Sequence, residues 1–301
     1  MPSLLDMTDV PLKNILENSD YKSILTLRKV CHFLRNFIDD SRFKTDLQII
    51  GIVINSSGFS VSCVSRNALS TKQCFAKDWN SRDLTIILKL SQNTKLSGFY
   101  VKTNQHNVGG LDDLVEILKN QTRPLQTEHF EMEGSEILKV LPYIDSKLLK
   151  RISIIPENDQ TNNQNLVGLE QFLELEQFKN AMELNISYYF LVRADLRKFF
   201  HFQGISVKLH ETSLEELVAL KDAFVSSTHM EFFNLNGRGW DENQLEQVFD
   251  TPFHDPHCGG QWFFKIKNCK EHVLRNEWNI GFLLFYKLEA NEVPQDAVIQ
   301  H

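Results

Sequence analysis

The sequence predicts an α/β fold: a small helical module at the amino terminus, followed by an irregular leucine-rich-repeat-like array of alternating helices and mostly parallel strands. Three observations carry this prediction. The first forty residues place apolar side chains at helical spacing. Beyond residue 84, helical patterns alternate with short period-2 segments, the order expected of parallel strands joined by helices. With Phe130, Ile154, Leu184, Val207 and Phe232 as strand centres, successive centres lie 23 to 30 residues apart, near the roughly 20–29 residues of a leucine-rich repeat. The period is loose and lacks a regular asparagine ladder, so an open doubly wound sheet is the competing arrangement. At 301 residues the chain has the length of two domains, or of a small module joined to a larger one, and needs no disulfide or metal to hold a core.

In the helical module, Leu12, Ile15 and Leu16 share one face of a first helix, with Asp9 as its cap and Pro11 in its first turn. Asn18-Ser19-Asp20 breaks that helix. From Tyr21 to Asp39 a second helical pattern aligns Ile24, Leu27, Cys31, Leu34 and Ile38 along one stripe. Leu25, Val30, Phe33 and Phe37 are apolar outside the stripe. One stripe suffices for a surface helix, so these extra residues call for a second cover, from the rest of the chain or from another protein.

Read together, Met7-Thr8-Asp9-Val10, Asn14-Ile15-Leu16-Glu17 and Ser23 to Ile38 resemble an F-box, most specifically in the block Leu27-Arg28-Lys29-Val30-Cys31-His32-Phe33-Leu34-Arg35. The resemblance covers residues 4 to 42 and puts the module at 1–45. It implies a three-helix hook that binds the Skp-family adaptor of cullin-RING ubiquitin ligases. Carried over position by position, the adaptor-facing candidates are Met7, Val10, Ile15, Leu16, Ile24, Leu27, Val30 and Cys31. Where many F-boxes open with Leu-Pro, this chain has Met7-Thr8, which removes a proline of the adaptor contact.

The remaining elements follow in order. Apolar runs on either side of Asn55-Ser56-Ser57-Gly58 predict a hairpin over 47–65. A helix over 84–90 leads to a strand at 99–101, and a helix over 111–118 to a strand at 129–132. Ser135 caps a helix that runs to Tyr143 and that Pro142 ends or kinks, before a strand at 151–154. A helix over 166–178 precedes a strand at 182–186, and 205–209 alternates cleanly as a strand. Ser213-Leu214-Glu215-Glu216 is a capping box before a helix carrying Leu217, Leu220 and Phe224, and 230–235 closes that unit as a strand.

Segments 127–133, 136–155, 166–186 and 196–220 are similar to the FTH domain of nematode F-box proteins, most clearly at Phe172, 178–184 and 217–221. Paired with the F-box, the likeness implies a substrate receptor whose second domain, residues 46–288, holds a target protein, with 289–301 as a loose tail. Strand residues alternate, so the polar ones are expected on an open sheet face. Glu131, Ser153, Asn185, Ser206, Lys208 and Asn234 are the candidate target-facing residues there.

Composition excludes several classes. A formal net charge of −7 gives no field for phosphate backbones or anionic lipid, and no apolar run approaches the roughly 18 residues of a membrane span, so neither nucleic acid nor membrane is an expected partner. The start carries no signal-peptide pattern, and five scattered cysteines read as reduced thiols, which places the chain inside the cell, in cytoplasm or nucleus. No phosphate loop, dinucleotide fingerprint or nucleophile elbow is present, so neither a cofactor nor catalysis is expected. The best metal-like set is His254, His257, Cys269 and His272, but the apolar run 261–266 between its two halves reads as a strand and zinc patterns usually open with two cysteines, so no metal is assigned. The sequence thus reads as a non-catalytic receptor subunit of an SCF-type ligase, tethering a target to the adaptor. The alternative is an interaction scaffold outside ubiquitin ligases.

Overall fold

The structure, a computed structural model, describes residues 4, 7–55, 58–66, 74–103, 108–134, 136–155, 164–165, 168–186, 190–192, 194–209, 212–236, 240–254, 259–279 and 281–300. It divides into two compact units, Met1–Lys150 and Arg151–His301.

Three helices open the first unit: α1 (Asp9–Glu17), α2 (Tyr21–Val30) and α3 (His32–Asp40). Thr8, one residue earlier than expected, occupies the cap position of α1, and Asp9 is its first helical residue. Asp20 caps α2, accepting the Ser23 backbone N–H and hydroxyl at 2.9 and 2.7 Å, bonds that hold its carboxyl below the usual range. Periodicity alone suggested one helix from Tyr21 to Asp39. Instead Cys31 adopts extended dihedrals and splits it, giving the three helices that the F-box resemblance implied. Arg28 and Asp39 then join α2 to α3 through a two-pronged ion pair at 2.7 and 2.8 Å.

Five strands follow in this unit: β1 (Leu47–Asn55), β2 (Gly58–Ser65), β3 (Cys74–Trp79), β4 (Gly98–Thr103) and β5 (His129–Glu133), in the order β3-β2-β1-β4-β5. β1 and β2 form the expected hairpin, and β3, which sequence patterning missed, adds antiparallel to β2. β4 and β5 run parallel to β1 and to each other, joined by α4 (Ser81–Ser91) and α5 (Val108–Lys119). The short α6 (Ile137–Val140) tightens into a 3₁₀ turn at Leu141–Tyr143, where Pro142 stops it; its proposed cap, Ser135, lies outside the described residues. Leu16, Ile24 and Ile38 pack with Phe43 and with Leu90 of α4, so the three helices are seated on the body of their own unit.

The second unit begins with four parallel strands, β6 (Arg151–Ile155), β8 (Glu183–Ile186), β10 (Gly204–Lys208) and β11 (Phe232–Asn236), which are neighbours in that order. β7 (Gln164–Asn165) and β9 (Phe190–Leu191) form a separate two-stranded ladder. The helix expected over 166–178 is two, α7 (Leu169–Glu174) and α8 (Glu176–Asn180), interrupted by extended backbone at Leu175. The capping box at Ser213 and Glu216 starts α9 (Leu214–Ser226) as predicted, and a second box at Asp241 and Gln244 starts α10 (Glu242–Phe249).

After α10 the arrangement departs from a parallel array. β12 (Phe253–His254), β13 (Gly260–Lys265), β14 (His272–Asn279) and β15 (Phe282–Glu289) form an antiparallel meander that joins β11 through β15. The tight hairpin of β14 and β15 leaves no room for a crossover helix, and Gly281 supplies its left-handed turn residue at φ 85°. The segment expected to be a loose tail is also anchored, since β16 (Ile299–Gln300) pairs with β13 and the Gln300 side-chain amide donates to Phe249 O at 2.7 Å.

Two predictions follow for the first unit. Glu128 accepts Lys95 at 2.6 Å and Lys150 at 2.9 Å, and these bonds hold its carboxyl at about 2. Because the folded state resists protonation, the stabilisation is complete above the ordinary glutamate pKa of about 4.5 and is lost as pH falls toward 2. The site is partly exposed, so the expected effect of Glu128→Gln is a loss on the order of 1 kcal/mol at pH 7 that shrinks to less than half at pH 3, read from urea unfolding at both values. Asp46, buried between the helices and the hairpin, accepts the Tyr21 N–H at 2.9 Å and the Ser65 hydroxyl, while burial pushes its carboxyl up. Asp46→Asn keeps an acceptor for Tyr21 and removes a buried charge, so its stability at pH 7 should match or exceed the parent. Asp46→Ala should lose about 1–3 kcal/mol in the same measurement.

Candidate functional site

The structure divides the expected adaptor-facing residues into three sets. Leu16 and Ile24 are completely buried and belong to the internal cluster with Ile38, Phe43 and Leu90, which corrects their assignment to a docking face. The cause is geometric: the inward stripes of α1 and α2 meet, and the side chains central to them have no route to a partner. Val10 and Val30 remain 70% and 66% exposed. Met7, Ile15, Leu27 and Cys31 are half-buried, and Leu27 leans on the internal cluster.

Phe33 joins the uncovered set at 47% exposure, although it was not among the expected contact residues. Its signal in the sequence is its position off the apolar stripe. The Phe33 ring stacks on Phe37 with centroids 6.4 Å apart, which fixes its orientation beside the Val30–Cys31 break. A valine or phenylalanine fully covered by a partner contributes about 1.5–3 kcal/mol, so these few side chains suffice as anchors.

The polar strand residues fall into register as alternation requires. Ser153, Asn185, Ser206 and Asn234 are direct neighbours on β6, β8, β10 and β11, while the residue before each, Ile152, Leu184, Ile205 and Phe233, is buried. Asn185 is exposed, and Ser206, Lys208 and Asn234 are half-buried. Ser153 is only 3% exposed, so it supports the end of the row and offers little to a partner. Glu131 belongs to the other unit, beside Tyr100 on β4, where burial and the nearby Glu133 carboxylate raise its pKa.

Sequence reasoning missed the aromatic part of this strand face. Phe232, 40% exposed, lies opposite Gly204 in the register, and its ring occupies the space a side chain at Gly204 would need. Tyr286 is its neighbour on β15. The Arg275 guanidinium sits 5.2 Å from the Tyr286 ring centroid, and Glu277 receives Arg275 at 2.7 Å and the Tyr286 hydroxyl at 3.1 Å. The available clue was Gly204, placed immediately before the cleanest alternation in the chain.

The metal-like set does not assemble from its described members. His254 pairs with Gly260 at one end of β13, whereas His272 begins β14 one residue beyond the other end, about 20 Å along the strand at the usual rise. His254 faces Glu242 at 3.6 Å, and Cys269 Sγ lies 3.7 Å from His272 Nδ1. His257 is outside the described residues. Among the described residues, no group of three or more His, Cys, Asp or Glu side chains is placed to hold a metal ion. Glu216 serves the α9 cap, and Glu174 and Glu176 both pair with Lys179. Within the described residues, no helix is long and apolar enough to cross a membrane.

Comparison with known families matches residues 4–46 to the F-box domain and residues 110–253 to the FTH domain. No curated protein and no solved structure matches the chain. F-box domains generally bind Skp-family adaptors within SCF complexes, and F-box proteins are generally non-catalytic adaptors of these E3 ligases. The matched F-box spans α1 to α3, and the matched FTH domain runs from α5 to β12, so this chain is an F-box protein with a carboxy-terminal FTH domain.

Proposed function

We propose that this protein is the substrate-recognition subunit of an SCF-type cullin-RING ubiquitin ligase. The observation that carries the reading is the uncovered apolar set Val10, Val30 and Phe33 inside the F-box match, on helices whose opposite sides are sealed by their own chain. Apolar side chains left open on an otherwise satisfied module are the signature of a docking site. In this reading Met7, Ile15, Leu27 and Cys31 border the contact with the Skp-family adaptor. Residues 46–288 hold the target, using the strand face that carries Asn185, Ser206, Lys208, Asn234 and Phe232.

The chain's contribution is proximity. Holding a target and an adaptor-bound ligase on one polypeptide raises the effective concentration of target lysines at a conjugating enzyme carried elsewhere in the assembly. Peptide-bond chemistry on the target is then left to that enzyme, and the receptor supplies orientation and dwell time.

The test is adaptor capture by purified full-length chain carrying Val30→Asp and Phe33→Asp. Both positions are exposed, so the variant should keep its unfolding midpoint while adaptor affinity falls by at least about 30-fold, the loss expected when a contact worth 2 kcal/mol is removed. A folded variant that captured the adaptor and its cullin as well as the parent would overturn this assignment. Capture of the adaptor by the parent without any cullin would favour a scaffold outside the ligase.

A further inference from the structure

β13 is built like an interior strand but stands near the sheet margin. Gln261, Trp262, Phe263 and Phe264 are all buried, so both faces of the strand are covered, and Lys265 is its one exposed residue. Margins of sheets are normally blunted by charge, proline or a bulge, because an apolar margin invites another strand. β14 pairs with one side of β13. Among the described residues, the other side is covered by two two-residue strands, β12 against Gly260 and Gln261, and β16 against Phe263 and Phe264.

The second of these covers is lightly attached. Ile299 pairs with Phe263, Gln300 pairs with Phe264, and the Gln300 amide reaches Phe249 O at the end of α10. The preceding Val298 is 76% exposed, and Glu292, Gln295 and Asp296 are exposed as well. A two-residue ladder with one side-chain tie holds little against the ordering entropy of the segment it fixes.

We propose that this side of β13 is a binding site for an extended peptide, which adds as a strand parallel to β13 and presents a branched aliphatic residue followed by a side-chain amide, and that residues 298–300 occupy it as a displaceable stand-in. The stand-in displays the chemistry that fits: main-chain pairing supplies affinity, the amide that reaches Phe249 O supplies selectivity, and the aliphatic side chain, 39% exposed in the stand-in, adds a partly covered contact. The peptide's source is a target protein, and in that respect alone the proposal rests on the receptor reading. Tethering gives the stand-in an effective concentration on the order of millimolar, so the parent protein resists exchange until the segment is released.

The experiment uses the full chain with Ile299→Asp and Gln300→Ala, and a fluorescein-labelled synthetic peptide of residues 294–300. Hydrogen exchange should accelerate at least about tenfold at residues 263–265 and remain unchanged at 204–208. The peptide should bind the variant at least tenfold more tightly than the parent, read by fluorescence anisotropy, and lose that binding when its isoleucine is replaced by aspartate. Equal binding to both proteins, binding to neither, or unchanged exchange at 263–265 would overturn the proposal. So would a variant that dimerises in sedimentation and is not dissociated by the peptide, since the margin would then serve a second copy. If the double variant does not fold, Gln300→Ala alone must shift exchange and binding in the same direction by at least threefold. Adaptor capture through Val30 and Phe33 is measured separately, so its retention beside a failed peptide test would sink this proposal and leave the receptor reading intact.

Discussion

The burial of Leu16, Ile24 and Ile38 against Phe43 and Leu90 is the constraint on which the amino-terminal module depends. Three helices of nine or ten residues are too short to be stable alone, and most of their stability has to come from packing. Seating them on α4 supplies that packing and decides which side chains remain outside. Asp46 adds a polar lock at the same junction, linking the first residue of α2 to the end of the β1–β2 hairpin. A helical module held this way moves with its unit.

Much of the architecture was legible because it rests on local chemistry. The hairpin at Asn55 and Gly58, the box at Ser213 and Glu216 and the strand at Gly204–Lys208 each follow from a turn residue, a cap or an alternation confined to a few positions. The break at Cys31 was hidden from periodicity because Ile24, Leu27, Cys31, Leu34 and Ile38 keep helical spacing across it, and only the resemblance supplied the third helix. The antiparallel end was legible only at 261–266, whose apolar run reads as the strand that β13 is. β14 and β15 went unread because they carry apolar side chains on both faces, which erases the alternation by which strands are recognised.

For the candidate site, residue type was readable and exposure was not. Leu16 and Val10 are both aliphatic and both lie on α1, yet one is sealed and the other open, and the difference is made by Phe43 and Leu90, remote in sequence. The polar row was placed on the correct strands because period-2 alternation is a backbone property. That Ser153 is buried while Asn185 beside it is exposed depends on neighbouring side chains, which no single-strand pattern records. The aromatic members of the same face stayed invisible for that reason, Tyr286 reaching it from a strand that pairs with β11 across some fifty residues of chain.

The in-register row on β6, β8, β10 and β11 has a further consequence for how such a chain can vary. Each strand carries two interleaved texts: odd positions of β10 hold the buried isoleucine and valine that specify the fold, and even positions hold the serine and lysine that face outward. Changes in the outward text leave the buried one untouched, so this face can vary by point substitution while the scaffold stays constant. A single-residue insertion within any of these strands would transpose the two texts and destroy both at once.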